Sequence, residues 1–344
     1  MTALPADLLQ HRLPDSRDAP VLNWGIMGPG WIAERFTASL QRYTTQNVAA
    51  VGSRDRARAQ AMAGRFGIKT AHGSYRDLVN DDGIDIIYVS TPHPAHHEGA
   101  LMALEAGRHV LVEKPLAINA AQARDIARAA RAKGRFCMEA LWTFFLPKFE
   151  VLERIIAGGW IGEVYAVIAD HGEFFTPDHR IMRADLAGGP LLDLGTYPAA
   201  LATRLLGPSQ RLSAYGQAAP SGVNGQLAVA AEHRGGSQSL IHTTIFSNTP
   251  SMATIAGSRG TVVLDTPAYQ PGGFTLWLHD GTRARYEEPA IGHEGGLHFQ
   301  AAAIARSIAA GETESPRRPL ADSIATLEMM DAIRAQTGIV FPGE

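Results

Sequence analysis

A lysine, an aspartate and a tyrosine stand where their side chains could move a proton. Lys114 follows the apolar run HVLVE, so it is expected at the carboxyl end of a strand, where open α/β sheets bind ligands. Asp193 and Tyr197 follow a Gly-Gly-Pro turn at spacing i, i+4, so one helix would set both on the same face. A lysine cation beside a phenol favours the tyrosinate and lowers the phenol's pKa. These residues predict an acid/base centre. The alternatives are a surface lysine, a helix-capping aspartate and a half-buried core tyrosine.

A glycine-rich turn follows the first predicted strand. Gly28, Gly30 and Ala33 form the pattern G-x-G-x-x-A, with Trp31 and Ile32 inside it, and a helical pattern follows. The first glycine permits a tight turn, the second lets backbone approach a pyrophosphate, and the small third residue allows close helix packing. The N–H groups at the helix N-terminus then bind phosphates. The motif predicts a dinucleotide site, and a purely structural turn of small residues is the alternative.

The end of the second predicted strand indicates which dinucleotide binds. NAD-binding forms of the motif usually carry an acidic residue there, whereas this chain has Ser53 and Arg54. Arginine presents a planar, permanently charged fork that suits a 2′-phosphate. We therefore expect NADP in preference to NAD. The alternatives are that Asp55 reaches the ribose, or that Arg54 is a solvated residue at the start of the next helix.

Alternating apolar runs and helix-length segments organise the chain from residue 21 to residue 141. The runs are VLNWGIM, NVAAVGS, IDIIYVS, HVLVEK and FCMEAL. Strands that are apolar on both faces and joined by long crossovers predict an α/β domain of the Rossmann type, with a doubly wound parallel sheet. Residues 1–20 are expected to form an arm ahead of it rather than a folded element.

A second domain, of the α+β class, is expected over residues 142–344. It begins with a helix around Pro147–Ala157. Strand-like segments at hairpin spacing between about residues 211 and 286 predict a large, mostly antiparallel sheet. Two helical patterns, near 298–310 and 320–336, end just before Gly311 and Gly338.

The composition excludes several classes of protein. With 344 residues, 45% of them hydrophobic and 19% charged, the chain should fold into about two domains. The net charge is −3 and long basic runs are missing, which argues against a nucleic-acid partner. The only cysteine is Cys137, which excludes an intramolecular disulfide and fits a cytoplasmic location. No stretch approaches ~18 apolar residues and no signal-like start is present, so neither a membrane span nor secretion is expected.

The chain resembles the glucose–fructose oxidoreductase / inositol dehydrogenase family of NAD(P)-dependent oxidoreductases. The residues that carry the likeness are Ser90-Thr91-Pro92, His96, the run ALEAGRHVLVEKPLA, and Gly188-Gly189-Pro190 with the following LLDLGTY. A tyrosine four residues after the aspartate, where many members have histidine, is similar to the dimeric dihydrodiol dehydrogenase branch and related D-xylose dehydrogenases. The segment MEALWT is also similar to that branch, although Phe144 stands where the branch often has arginine.

This resemblance implies a role for each residue. Lys114, the lysine of the family's E-K-P motif, polarises the substrate oxygen, and Asp193 positions Lys114 and Tyr197. Tyr197 exchanges a proton with that oxygen while hydride passes to or from the nicotinamide. Further residues that the likeness or their neighbourhood suggests are Thr91, Pro92, His96 and Glu113 at the cofactor, and Trp142 and Phe144 at the substrate. For Trp142, Phe144 and Phe145, packing is an equally good interpretation.

The expected function is an NADP-dependent oxidoreductase acting on a secondary alcohol, hemiacetal or carbonyl of a sugar, polyol or cyclic trans-diol. The alternatives are a glycosidase of the same family that uses NAD transiently, and a nucleotide-sensing regulator. The complete set of Lys114, Asp193 and Tyr197 argues against a regulator, which needs no proton relay. No metal is expected, because His97-Glu98 lacks the second histidine of H-E-x-x-H. The resemblance implies a homodimer or higher homo-oligomer through the second domain, whose sheet, covered on one side, would leave an apolar face to bury.

Overall fold

The chain divides into two units, and each collects segments that are distant in the sequence. A computed structural model describes residue 5 and residues 7–288, 292, 294–342 and 344. The parallel-sheet unit comprises Pro14–Phe145 and Ile291–Ser323, and the mixed-sheet unit comprises Met1–Leu13, Leu146–Ala290 and Ile324–Glu344. The expected domain limits at residues 20 and 141 differ from this division mainly in the segment 291–323, which belongs to the parallel-sheet unit.

Six parallel strands form the sheet of the parallel-sheet unit. They are β1 Asn23–Met27, β2 Asn47–Gly52, β3 Thr70–His72, β4 Ile86–Val89, β5 His109–Glu113 and β6 Cys137–Ala140. They lie side by side in the order β3-β2-β1-β4-β5-β6, which is that of a Rossmann fold. Every residue of β4 and β6 is buried, as a sheet covered on both faces requires. The predicted doubly wound sheet is confirmed. β3 has no sequence signal, because three residues are too few to show a period.

The described residues form ten α-helices. They are α1 Trp31–Tyr43, α2 Arg56–Phe66, α3 Tyr75–Val79, α4 His96–Glu105, α5 Ala120–Lys133, α6 Pro147–Ala157, α7 Pro190–Asp193, α8 Thr196–Leu206, α9 His298–Ala309 and α10 Leu320–Thr337. Gly311 and Gly338 follow α9 and α10 with φ of 77° and 71°, a region that favours glycine. The predicted ends of these two helices are therefore confirmed.

A buried ion pair ties the segment 291–323 into the parallel-sheet unit. Glu139 on β6 is 1% exposed, and its Oε2 accepts hydrogen bonds from Nε (2.9 Å) and Nη2 (2.6 Å) of the fully buried Arg318. The same oxygen accepts from the Ser323 hydroxyl at 2.7 Å. The other carboxylate oxygen accepts from the N–H of Leu116 at 2.9 Å, in the loop that follows β5. One carboxylate thus joins β6, the loop after β5 and the segment 291–323.

We predict that Arg318→Met lowers the free energy of unfolding by about 3–5 kcal/mol, because it leaves Glu139 buried without its counter-charge. Urea denaturation measures the loss. The matched control is Arg128→Met, which breaks the exposed pair of Arg128 with Asp125 and should change stability little. Equal stability of the Arg318 variant and the wild type would show that Glu139 is compensated in another way.

Eight strands form the sheet of the mixed-sheet unit. They are β7 Val164–Gly172, β8 Ser209–Ala218, β9 Asn224–His233, β10 Gln238–Thr244, β11 Ala253–Gly257, β12 Gly260–Leu264, β13 Phe274–Leu278 and β14 Arg283–Tyr286. Their order is β14-β13-β12-β11-β7-β10-β9-β8, and the β7–β10 pair is parallel while the others are antiparallel. The predicted, mostly antiparallel sheet is confirmed. The predicted helix that precedes it coincides with α6.

One face of this sheet packs against α8, which contacts β7 and β10. Large apolar side chains remain exposed on strands of this sheet. Ile168 on β7 and Leu240 on β10 are register partners and are 48% and 50% exposed. Tyr215 and Trp277 are exposed on β8 and β13. The sheet therefore presents apolar surface to its surroundings, as a sheet covered on one side was expected to do.

The described part of the N-terminal segment is packed rather than loose. Leu8 is buried, its carbonyl accepts a hydrogen bond from Arg154 of α6, and the N–H of Arg12 donates to Glu150 of α6 at 3.0 Å. A short 3-10 helix spans Ser16–Asp18. The expectation of an arm without a folded element thus fails for these residues, and it lies outside the described residues for 1–4 and 6.

Candidate active site

The glycine turn after β1 has the geometry that its motif predicts. Gly28 has a φ of 99°, and its N–H donates to the carbonyl of Gly52 on β2 at 3.0 Å. A Cβ on Gly28 would lie 3.2 Å from the carbonyl oxygen of Ser90, which is tighter than most contacts. The Ser90 hydroxyl lies within hydrogen-bond distance of the carbonyls of Met27 (3.1 Å) and Gly28 (2.9 Å). The turn after β1 is therefore locked to the end of β4.

The second glycine of the motif faces open space. Among the described residues, apart from its chain neighbours, the nearest atom to a Cβ on Gly30 would be the carbonyl oxygen of Ser90 at 3.9 Å, so packing against them does not demand glycine there. Gly30 also offers no side chain to cap α1. Ala33 is fully buried, whereas Trp31 is 59% exposed. This arrangement fits a pyrophosphate, because a phosphate could approach the backbone here and meet the N-terminus of α1.

Polar and basic side chains stand at the end of β2. The Asp55 carboxylate accepts from the N–H of Ala57 at 2.9 Å and caps α2, so it is already engaged. The exposed Arg54 guanidinium makes no hydrogen bond or ion pair with any residue that the structure describes. Arg58, one helical turn further on, lies 3.4 Å from the carbonyl of Pro29 in the glycine turn. Sequence analysis missed Arg58, although its spacing i, i+4 from Arg54 was a signal.

His96 braces two loops at the carboxyl edge of the parallel sheet. The imidazole is 1% exposed, and its Nε2 and Nδ1 each lie 2.8 Å from a backbone carbonyl oxygen, that of Thr91 and that of Pro115. Burial lowers the pKa of this imidazole. Both ring nitrogens face backbone, so the structure gives His96 a supporting place, whereas sequence analysis assigns it to the nicotinamide. The neighbouring Thr91 hydroxyl has no hydrogen-bond partner among the described residues.

Two buried carboxylates hold the loop that carries Lys114. Lys114 itself is half-buried and is joined to Pro115 by a cis peptide. The Glu113 carboxylate is 6% exposed, accepts from the Tyr88 hydroxyl through one oxygen and from the N–H of Lys114 through the other. Glu139 holds the next part of the loop, as described above. Glu113 was predicted at the cofactor, but these contacts direct its side chain into the protein.

Burial raises the pKa of Glu113 to about 7. In the folded protein this carboxyl keeps its proton at pH values where the unfolded chain has lost it. We therefore predict that the contribution of Glu113 to the free energy of unfolding falls as the pH rises from about 4.5 to about 7. The expected decrease is about 3 kcal/mol. The variant Glu113→Met lacks this dependence, so the difference between the two proteins in urea denaturation should change across that window and be constant above it. A constant difference from pH 4 to 8 would contradict the prediction.

Asp193 and Tyr197 lie on two short helices rather than on one. α7 ends at Asp193, and Tyr197 lies in the first turn of α8. Between them the N–H of Gly195 donates to the carbonyl of Pro190, five residues back, at 2.7 Å. The expected continuous helix is therefore wrong. A Cβ on Gly195 would lie 2.7 Å from the carbonyl oxygen of Leu191, so the tight interruption requires glycine.

A buried asparagine supports the Gly-Gly-Pro turn before α7. Gly189 has a φ of 98°, and a Cβ there would lie 2.2 Å from the Asn224 side chain. The Asn224 side-chain oxygen accepts a hydrogen bond from the N–H of Leu191 at 3.1 Å, so a residue of β9 caps the N-terminus of α7. Asn224 has no local signal in the sequence, because it is 33 residues away from the backbone that it binds.

Asp193 faces a cation, and Tyr197 lies against two other rings. Asp193 is nearly buried, and its Oδ2 lies 2.9 Å from Nη2 of the more exposed Arg180. The ring centroid of Tyr197 is 4.7 Å from that of Tyr269 and 5.5 Å from that of His171. Sequence analysis identified neither Arg180 nor the two ring neighbours.

Trp142 and Phe144 are buried in the parallel-sheet unit. They are 2% and 1% exposed, and the Arg318 guanidinium lies 5.7 Å from the centre of the Phe144 ring. This burial supports the packing interpretation for both, and their contact with substrate stays a prediction.

Neither a metal site nor a membrane span is found within the described part of the chain. No three His, Cys, Asp or Glu side chains gather there as a metal-binding group. None of its helices is long and apolar enough to cross a membrane. The cytoplasmic location stays a prediction.

Comparison with known proteins defines the class. Residues 22–141 match the model of an oxidoreductase family with an NAD-binding Rossmann fold, and residues 149–263 match the GFO/IDH/MocA C-terminal domain. The chain belongs to the GFO/IDH/MocA family of oxidoreductases, and the resemblance inferred from its sequence is confirmed.

The relatives include enzymes named for a cyclic trans-diol. Trans-1,2-dihydrobenzene-1,2-diol dehydrogenase of Bos taurus is 32% identical over 332 residues, which are 93% of this chain and 98% of the relative. The Homo sapiens enzyme of that name is 31% identical over 334 residues, with the same coverage.

Two solved structures have a similar fold. A 3-ketoreductase from Actinomadura kijaniata, in complex with TDP-benzene and NADP, has a TM-score of 0.77 at 26% identity, over 92% of this chain and 98% of its own. Levoglucosan dehydrogenase, in complex with NADH and levoglucosan, has a TM-score of 0.84 at 19% identity, over 94% of this chain and 100% of its own.

Proposed function

We propose that this oxidoreductase transfers hydride between NADP and a secondary alcohol, hemiacetal or carbonyl of a sugar, polyol or cyclic trans-diol. The observation that supports it most is the 31–32% identity, over 93% of the chain, to enzymes named for a cyclic trans-diol. The sugar dehydrogenase and the ketoreductase among the structural neighbours are compatible with the wider substrate class.

The residues around the glycine turn fit a dinucleotide. The open space beside Gly30 would admit the pyrophosphate, and the N-terminus of α1 would bind it. Arg54 and Arg58 would hold the 2′-phosphate, since Asp55 is engaged in capping α2. The bound nicotinamide supplies or accepts the hydride. Thr91 and Pro92, at the end of β4, are proposed to contact the cofactor, and the Thr91 hydroxyl has no hydrogen-bond partner among the described residues.

We assign the proton chemistry to Tyr197 and Lys114. In the reducing direction, the Tyr197 hydroxyl donates its proton to the substrate oxygen as hydride reaches the carbon, and oxidation of an alcohol reverses these steps. The Lys114 ammonium donates a hydrogen bond to the same oxygen and stabilises negative charge on it. Asp193, whose carboxylate is paired with Arg180, positions these groups.

The experiment that tests the function is an absorbance screen for reduced nicotinamide, with aldoses, polyols and trans-dihydrodiols offered against NADP⁺ and NAD⁺. Net formation of NADPH with one of these classes is the expected result. In a separate assay with a chromogenic glycoside, cleavage without net reduced cofactor would identify the family-type glycosidase instead. Cofactor binding without turnover of any of these substrates would favour a nucleotide-sensing regulator.

For the cofactor, we predict that the protein binds NADP roughly ten- to a hundredfold more tightly than NAD, the value of one charge-assisted hydrogen bond. Arg54→Ala should remove most of this preference, and Arg58→Ala should reduce it. The control is Arg65→Ala near the other end of α2, because the Arg65 guanidinium pairs with Glu34. Calorimetry gives the affinities, and equal affinities of the intact protein for both cofactors would refute the assignment.

For the chemistry, we predict that Tyr197→Phe lowers turnover by about 10²–10⁴ while cofactor affinity and melting temperature barely change, because the ring is kept and the proton is lost. Lys114→Met should abolish turnover or move its pH optimum upward, because a cation beside a phenol favours the tyrosinate. The losses in the double variant should be far from additive. Near-normal turnover of Tyr197→Phe would show that another group moves the proton.

We also propose that the chain forms homodimers or higher homo-oligomers through the exposed face of the mixed sheet. Ile168 and Leu240 would be buried there, since exposed apolar patches of this kind are typical of interfaces. Leu240→Glu should then lower the mass measured by sedimentation at micromolar concentration. The control is Val340→Glu, a substitution at an exposed residue outside the sheet. A monomeric wild type would refute the proposal.

A further inference from the structure

A carboxylate and two rings beside Tyr197 have no part in the mechanism proposed above. His171 lies near the end of β7, Glu173 follows it two residues later, and Tyr269 comes from the segment after β12. The His171 and Tyr269 rings are stacked, with centroids 4.5 Å apart and planes at 24°. Each of them also contacts the Tyr197 ring. We call His171, Glu173 and Tyr269 the ring clamp.

One oxygen atom anchors both rings of the clamp. Oε1 of Glu173 lies 3.0 Å from Nε2 of His171 and accepts from the Tyr269 hydroxyl at 3.2 Å. The hydrogen bond from His171 lowers the pKa of Glu173, so the carboxylate stays charged. A carboxylate has no proton to give, so His171 must donate through Nε2, and this fixes the orientation of its ring.

The second ring nitrogen shows that packing alone does not explain a histidine at this position. Nδ1 of His171 is buried and has no hydrogen-bond partner among the described residues, and the whole residue is 2% exposed. A buried polar atom left without a partner costs stability. A phenylalanine ring would fill the same space without that cost, so the bond to Glu173 is the evident use of the imidazole.

Tyr269 is suited to hold and not to react. Burial, and after it the charge of Glu173, raises the pKa of the Tyr269 phenol, so this hydroxyl keeps its proton and remains a donor to Glu173. The side-chain amide of Gln270 donates to the same hydroxyl at 3.0 Å and fixes it further. The Tyr269 hydroxyl is therefore held by hydrogen bonds to Glu173 and Gln270.

We infer that Glu173 and His171 are positioning residues which, with Tyr269, hold the Tyr197 ring in the orientation that proton transfer requires. The inference rests on the role proposed for Tyr197. The ring of Tyr197 is confined by two neighbours that share one anchor, so loss of Glu173 removes a hydrogen bond from both neighbours at once and leaves Tyr269 with the one from Gln270. Small misplacements of a reacting group are costly, of the order of a hundredfold in rate for about 1 Å.

Three substitutions distinguish the effect of the Glu173 hydrogen bonds from the effects of its charge and of the His171 ring. Glu173→Leu removes the anchor and should lower kcat roughly ten- to a hundredfold, with KM for NADP unchanged. Glu173→Gln keeps a carbonyl oxygen that can accept both bonds and should recover most of the loss. His171→Phe keeps a flat ring but removes the hydrogen bond to Glu173, so it should also lower kcat. The control is Glu163→Leu, which removes a similar carboxylate–tyrosine contact, to Tyr165, near the start of β7.

The decisive measurement repeats Glu173→Leu in the Tyr197→Phe background. If Glu173 acts through Tyr197, the second substitution causes no further loss of kcat there. A loss of equal size in both backgrounds, or a loss that follows a lower melting temperature in all variants, would show a merely structural role and overturn the inference. Reduced turnover of Tyr197→Phe with normal turnover of Glu173→Leu overturns the ring clamp alone. Normal turnover of Tyr197→Phe overturns the proposed role of Tyr197 and the clamp together.

Discussion

The contacts of the Glu139 carboxylate are a constraint on which much of the parallel-sheet unit depends. A charge buried at the end of a strand is tolerated only when its surroundings compensate it fully. Here the guanidinium of Arg318, the hydroxyl of Ser323 and the N–H of Leu116 all point at its two oxygens. The compensation comes from two distant parts of the chain, the loop after β5 and the segment 291–323. The loop that carries Lys114 is therefore fixed by the same carboxylate that binds the segment 291–323 to the parallel sheet.

Both units hold their functional loops in the same physical way. In each, a polar side chain from one helix or strand bonds to the backbone of a loop that follows another element. His96 joins the backbone after β4 to that after β5, and Asn224 on β9 caps the turn before α7. Backbone groups in such loops lack the regular partners of helices and strands, so side chains must supply them. The proposed site residues thus stand on segments whose geometry is set from outside.

Features that depend on neighbouring residues in the sequence could be predicted, whereas features that depend on contacts between separated residues could not. Most strands of both sheets, though not β3, have apolar periods, and the glycine turn and the ends of α9 and α10 carry local signals, so these were predicted correctly. The break between α7 and α8 was missed because only the close approach at Gly195 reveals it. Arg180 and Glu173 were missed for another reason. Tyr269 is 96 residues from Glu173, and although Asp193 is much nearer to Arg180, an irregular segment separates the two, so no regular spacing links either pair.

The two-part composition of the parallel-sheet unit limits how the protein can be recombined. A fragment that stops at Phe145 contains Glu139 but not Arg318, and it also lacks α9, which contacts α1. Such a fragment would expose apolar surface and bury an uncompensated charge. An exchange of parallel-sheet units between this chain and a relative therefore needs four junctions, so that residues 291–323 travel with residues 14–145. A chimera joined at a single point would combine a carboxylate from one parent with an arginine from the other.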